Sequence, residues 1–291
     1  MKSHLASILD AIEQERGSKA IVFAASNLDI GLLPTLYDLI EELSPKSSLD
    51  VVIHCHGGEI TAARRLARIL TDATRHLTFI VPFYCTSAGT IMTLAADEII
   101  AGATAVFSPV DPQLTTAPDS ANAGESMISA EDVRLLRRAY ADWFNVDQNQ
   151  ANEKALAKLS DNIFPTTLTS FYRATKEVKM ICSELLSIRE GRFNESEIDQ
   201  IITSLSSGYH SHFYPISGED LSALSLPVIR SPRIEKAAWK ASKFIRSVVG
   251  GGLRKAPKDD WVDAMIASRE RVFVRRNTQQ RLEAIWEELD T

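Results

Sequence analysis

Four short stretches carry groups that could do chemistry together. The run TSAGT puts Ser87 directly after the apolar run LTFIVPFYC and directly before the helical run IMTLAADEI. A hydroxyl there can cap the helix by accepting a bond from an unpaired N–H. It can instead be a nucleophile at the positive end of the helix, where developing negative charge is favoured. A hydroxyl nucleophile needs a base within hydrogen-bond reach. HCHGGEI supplies two glycines, Gly57 and Gly58. Glycine tolerates the unusual dihedrals that turn bare backbone N–H groups toward a ligand, and an oxyanion hole is built of such donors. The same pair also suits a plain turn. SPVDPQL supplies Asp111, and YHSHFYPI supplies His210 and His212. Asp before Pro is also a common turn residue, and either histidine could sit on the surface.

Bringing these groups to one place requires a scaffold, and the hydrophobic pattern supplies one. AIVFAA, DVVIHCHGG and LTFIVPFYC read as buried strands of a parallel sheet. Between them, LLPTLYDLIEEL and ITAARRLARIL have helical periodicity, the second with Arg64, Arg65 and Arg68 on its wet side. EIIAGATAVFSPVDPQ reads as two extended pieces and a Pro-bracketed turn. Strand–helix alternation implies βαβ units and a mainly parallel α/β sheet. Ligands of such sheets sit beyond the carboxyl ends of the strands, where both the glycine pair and Ser87 fall. Residues 114–130, rich in Thr, Ser, Ala and Gly, are long for a connection and suggest a mobile lid. The second half is largely helical, including DVRLLRRAYADWF and most of 168–188. Residues 217–224 read as a short capped helix, and VVGGGLRKAPKDD as a Gly-rich turn. We expect a catalytic domain over 1–230 with a helical insertion at about 130–205. A helical extension is expected over 231–291.

The glycine pair, the strand ending in Pro, and SAGT…LAADEI…SPVDPQ together are similar to the ClpP/crotonase fold. Within it, the chain resembles the serine dehydrogenase proteinase family, relatives of the Clp proteases and of signal peptide peptidase A. The likeness is strong over 50–114 and resumes near 206–228, where SHFYPISGEDLSALSLPV matches that family's His, Tyr-Pro and short-helix stretch. What the resemblance implies is a Ser–Asp–His triad in that chain order: Ser87 as nucleophile, Asp111 as orienting acid and His212 as general base. It also implies an oxyanion hole lined by Gly57 and Gly58, with the Ala88 N–H as a second donor. The family usually shows Thr-Pro where this chain has Cys55 and His56, and often an acid where it has Phe213. The implied activity is a serine peptidase working through an acyl-enzyme on peptide or protein substrates. Proteins of this fold generally assemble as trimers, hexamers or stacked rings, so a homo-oligomer is expected.

Other readings of the same residues stand beside this one. His210 or His56 could be the base. Lys154 or Lys158 could form a Ser–Lys dyad, although both lie in a solvated-looking helix. His54 reads as a hydrogen-bonded core residue, and Cys85 as a buried filler. Acyl-CoA chemistry of the crotonase kind and a non-catalytic scaffold are the rival functions. Across 291 residues the net charge is -6, which gives no overall pull toward nucleic acid or anionic membrane. The basic excess over 230–276 reads as a solvated face. The three cysteines, Cys55, Cys85 and Cys182, are too few and too widely spaced for a disulfide framework. They suggest no zinc site, and neither metal nor organic cofactor is expected. No secretory leader and no apolar run of membrane-spanning length stands out, so a cytoplasmic protein is expected.

Overall fold

The computed structural model describes residues 2–44, 48–116, 126–249, 260–278 and 284–289. The chain opens with α1 (Lys2–Arg16), β1 (Lys19–Ala25), α2 (Leu33–Leu43), β2 (Ser48–Cys55), α3 (Ile60–Ala73), β3 (His76–Val81), α4 (Ala88–Thr93) and β4 (Glu98–Ala101). A hairpin of β5 (Gln113–Thr116) and β6 (Ser126–Ser129) follows. Then come α5 (Ala130–Phe144), α6 (Gln148–Asn162), α7 (Pro165–Leu186), α8 (Glu195–Ser207), α9 (Gly218–Ala223), β7 (Val228–Ile229) and α10 (Pro232–Val248). Three strands close the chain: β8 (Trp261–Ala267), β9 (Val272–Asn277) and β10 (Ile285–Glu288).

One eight-stranded sheet runs in the order β10-β9-β8-β1-β2-β3-β4-β7. The pairs from β1 to β7 are parallel, and those from β1 to β10 are antiparallel. The central strands are apolar throughout because both faces are covered. Ile21, Phe23, Val51, Ile53 and Phe79 face a core formed with α2, α3, α4, α7 and α8. Ala20, Val22, Val52 and Ile80 face the opposite way, against α1 and α10. At the amino edge, Arg16 reaches Asp50 and Glu98, each at 2.8 Å, and ties α1 to the sheet.

One expectation needs correction. Residues 231–291 were expected to form a helical extension. They contribute one helix and then three strands that extend the main sheet beside β1. The apolar runs AMIA and VFV suit buried strands once a sheet edge is offered to them. Among the described residues, the basic excess over 230–276 lies mostly on solvated surface, as expected, with Arg275 as the exception. Arg230 pairs with Glu235, Arg233 with Glu15, Arg269 with Asp10 and Arg276 with Glu287. Arg275 is 6% exposed and bridges Asp29 and Asp263. Most of the suggested lid, residues 117–125, and most of the Gly-rich turn lie outside the described residues. The flanks of the former pair as the β5–β6 hairpin. The capped helix expected at 217–224 is α9, with Ser217 and Asp220 forming a reciprocal capping box.

Candidate active site

The carboxyl ends of β1, β2 and β3 meet at one edge of the sheet. After β2 the chain makes its glycine turn, and the segment Leu28–Gly58 adds a parallel bridge beyond β1. There Leu28 donates to the Gly57 carbonyl at 2.7 Å and accepts from the Glu59 N–H at 2.8 Å. In a parallel bridge the flanking peptides carry those bonds. The N–H of Gly58 itself therefore faces the other way, and Gly58 lines a cleft of about 440 Å³. Both glycines hold φ values that other residues rarely take, 104° at Gly57 and 134° at Gly58. Space demands glycine as well. A Cβ on Gly58 would sit 2.3 Å from the Leu28 nitrogen, and one on Gly57 would sit 2.9 Å from the Ser87 Cβ.

Ser87 occupies the position before α4, yet its hydroxyl makes no capping bond. Its backbone is at φ 54°, ψ -119°, a region costly for a residue with a side chain. Its N–H donates to the Ser108 hydroxyl at 2.8 Å, which helps to hold that conformation. A strained, half-buried serine on a sharp strand-to-helix turn has its hydroxyl presented rather than tucked into the helix. Among the described residues, the Ala88 N–H, next along the chain, has no acceptor.

Asp111 and His212 converge although 101 positions separate them. His212 Nδ1 lies 2.7 Å from Asp111 Oδ1, and the Ser129 hydroxyl donates to Oδ2 at 2.5 Å. Burial pushes the Asp111 carboxyl up, but the bonds from His212 and Ser129 outweigh it and hold the group below the usual range. An ionised carboxylate can only accept, so His212 must carry its proton on Nδ1. Nε2 has no protein partner among the described residues, and in the neutral ring it is the nitrogen that offers a lone pair. Ser87, Asp111 and His212 all line the same cleft, together with His56, Gly58 and Ile60.

The alternative bases are arranged differently. His210 is exposed and lines an adjoining hollow of about 240 Å³, which shares Asp111, Gln113 and His212 with the cleft but holds no Ser87. Lys154 and Lys158 stand on the outer side of α6 and do not line the cleft. His56 does line it, and burial lowers its basicity. Cys55 is pushed up to about 12 by burial and Cys85 is also raised, so neither is a thiolate at neutral pH. His54 is a core residue as expected, but neither ring nitrogen has a hydrogen-bond partner among the described residues. It sits beside the rings of His56, Phe83 and Tyr84 and near Arg246 of α10, none of which hydrogen-bonds it. No group of three or more His, Cys, Asp or Glu residues could hold a metal ion among the described residues. No helix among them is long and apolar enough to cross a membrane.

Two contacts at the site were not read from the sequence. Ser108 gives no signal beyond being a serine before Pro. Ser129 does: the run SAED is the start signature of a capped helix, and it fixes where α5 begins. What the sequence does not reveal is that this cap faces Asp111.

Comparison with known proteins bears out the family resemblance. Residues 6–132 match the model of the family described as ClpP-like SDH-type serine proteinase. The matched span holds Ser87 and Asp111 and stops short of His212. Two uncharacterized proteins of Methanocaldococcus jannaschii are similar to this chain. One is 28% identical over 234 residues, covering 76% of this chain and 72% of that protein. The other is 26% identical over 230 residues, covering 75% and 68%. Among solved structures, an enoyl-CoA hydratase from Bacillus halodurans aligns with 76% of this chain and 95% of its own at 12% identity, with a TM-score of 0.28. The family match and the central run of parallel strands agree with the ClpP/crotonase-like α/β fold expected from the motifs.

Proposed function

We propose, from the family match over residues 6–132 as premise, that this protein is a serine peptidase-like hydrolase acting through Ser87, His212 and Asp111. The observation that carries the reading is the Asp111–His212 bond at 2.7 Å, opening on the cleft that also holds the strained Ser87. In this reading His212 Nε2 takes the Ser87 proton as the hydroxyl attacks a peptide carbonyl. Asp111 keeps the imidazole in the required tautomer and stabilises its charged form. The oxyanion of the tetrahedral intermediate is met by the N–H groups of Gly58 and Ala88, while Gly57 supplies the room beside Ser87. His212 then returns the proton to the leaving amine, and water cleaves the acyl-enzyme by the same route. One oxyanion donor contributes on the order of 10²–10³ in rate in comparable sites.

The test compares peptide and acyl-thioester substrates with wild-type protein and Ser87→Ala. Peptide turnover that disappears in the variant is the expected result. Thioester turnover that survives Ser87→Ala, with no peptide cleavage by either protein, would replace this reading with acyl-CoA chemistry.

A further inference from the structure

Asp111 has two oxygens, and each faces a different donor. Oδ1 meets His212, and Oδ2 meets the hydroxyl of Ser129, itself 7% exposed. Ser129 is the last residue of β6 and the cap of α5, where its oxygen accepts the Glu131 N–H at 2.9 Å. The cap needs only a lone pair. The single proton of the hydroxyl goes elsewhere, to a carboxylate that has none of its own. Hairpin register aligns Ser129 opposite Gln113, two residues past Asp111. The Ala130 N–H closes the contact by donating to the Pro112 carbonyl at 3.0 Å.

We propose that Ser129 is a positioning residue of the triad: its hydroxyl grips the second oxygen of Asp111 and so fixes the carboxylate that orients His212. The proposal rests on the hydrolase reading above. It adds a fourth group, from an element that a triad does not require. Without that grip, the carboxylate could rotate about its own side chain, and the Asp111–His212 geometry would be held from one side only. Other charged or titratable groups flank the same hollow: Glu131 and Asp132 on the first turn of α5, and Tyr209 and His210 on the loop after α8. Neither of those carboxylates is bonded to Asp111 among the described residues. Ser129 is thus the donor that offsets burial of the charge from that side, in keeping with the depressed Asp111 carboxyl.

The experiment uses the full chain with Ser129→Gly and Ser129→Thr. Glycine caps a helix nearly as well as serine, but it has no proton to give. Threonine keeps both functions. The first readout is the titration of the Asp111 carboxyl carbon by NMR in aspartate-labelled protein, which needs no turnover. It is expected to move up by about one pH unit in Ser129→Gly and to stay at the wild-type position in Ser129→Thr. The second is peptide hydrolysis, where Ser129→Gly should lower kcat about tenfold at unchanged KM, since the contact acts on the transition state. Far-UV circular dichroism checks that α5 is kept in Ser129→Gly, where the cap is only slightly weakened. An unmoved Asp111 titration with wild-type kcat in the glycine variant would overturn the proposal and leave Ser129 as a cap only. So would loss of both properties in Ser129→Thr. Failure of the wild-type protein to turn over any peptide would instead count against the hydrolase reading, and the titration would still decide the role of Ser129.

Discussion

His54 should make this protein acid-sensitive in a way that one substitution removes. Its imidazole is 0% exposed and has no hydrogen-bond partner on either nitrogen among the described residues. Burial, then the charges of His56 and Arg246, push its pKa down to about 3 from an ordinary 6.5. The folded state therefore refuses a proton that the unfolded chain accepts. The stability tied to the neutral ring is complete above pH 6.5 and is lost as pH falls from 6.5 toward 3. Between pH 7 and pH 5 the loss from this group alone comes to about 2 kcal/mol. That is a large share of a typical folding free energy. His54→Leu removes both the titration and two unpartnered nitrogens, so at pH 7 it should be neutral to stabilising. Urea denaturation followed by tryptophan fluorescence at pH 7 and pH 5 measures the difference. The wild-type protein should lose about 2 kcal/mol more than the variant over that interval. Parallel losses in the two proteins would refute the reasoning, because the ring would then be taking up its proton freely in the folded state.

Further outcomes follow from the same geometry. Gly57→Ala places a methyl 2.9 Å from the Ser87 Cβ, at a φ of 104°. It should cost about 1–3 kcal/mol of stability in a melt and at least about tenfold in kcat/KM. Arg275→Ala leaves Asp263 buried without its partner, and chemical denaturation should show a loss of about 3–5 kcal/mol. Ser87→Ala and His212→Ala should each remove about as much hydrolysis as the double change, because the two act as one unit. Additive losses would break that unit apart.

Much of the site was legible because its chemistry follows strand ends. DVVIHCHGG and LTFIVPFYC are apolar enough to be read as buried parallel strands, and their ends put Gly58 and Ser87 at one edge. Asp111 and His212 could be named only through the family motifs. Nothing in a DP turn or an HSH loop says that the two meet across 101 positions. His54 shows the opposite limit. A histidine in an apolar strand predicts burial, but whether its nitrogens find partners depends on α10, far along the chain. The closing strands were hidden for a related reason. Residues 261–288 are rich in arginine and glutamate. That pattern suits a solvated helix until Asp29, Glu42 and the neighbouring strand offer partners for those charges.

The most direct measurement is to treat the full chain with a fluorophosphonate probe and locate the adduct by mass spectrometry. A hydroxyl activated by His212 should carry the label at Ser87 in the wild-type protein. His212→Ala should suppress it by about 10³-fold or more, and Ser87→Ala should abolish it. An adduct that forms equally well without the imidazole, or one that sits on another residue, would contradict the account.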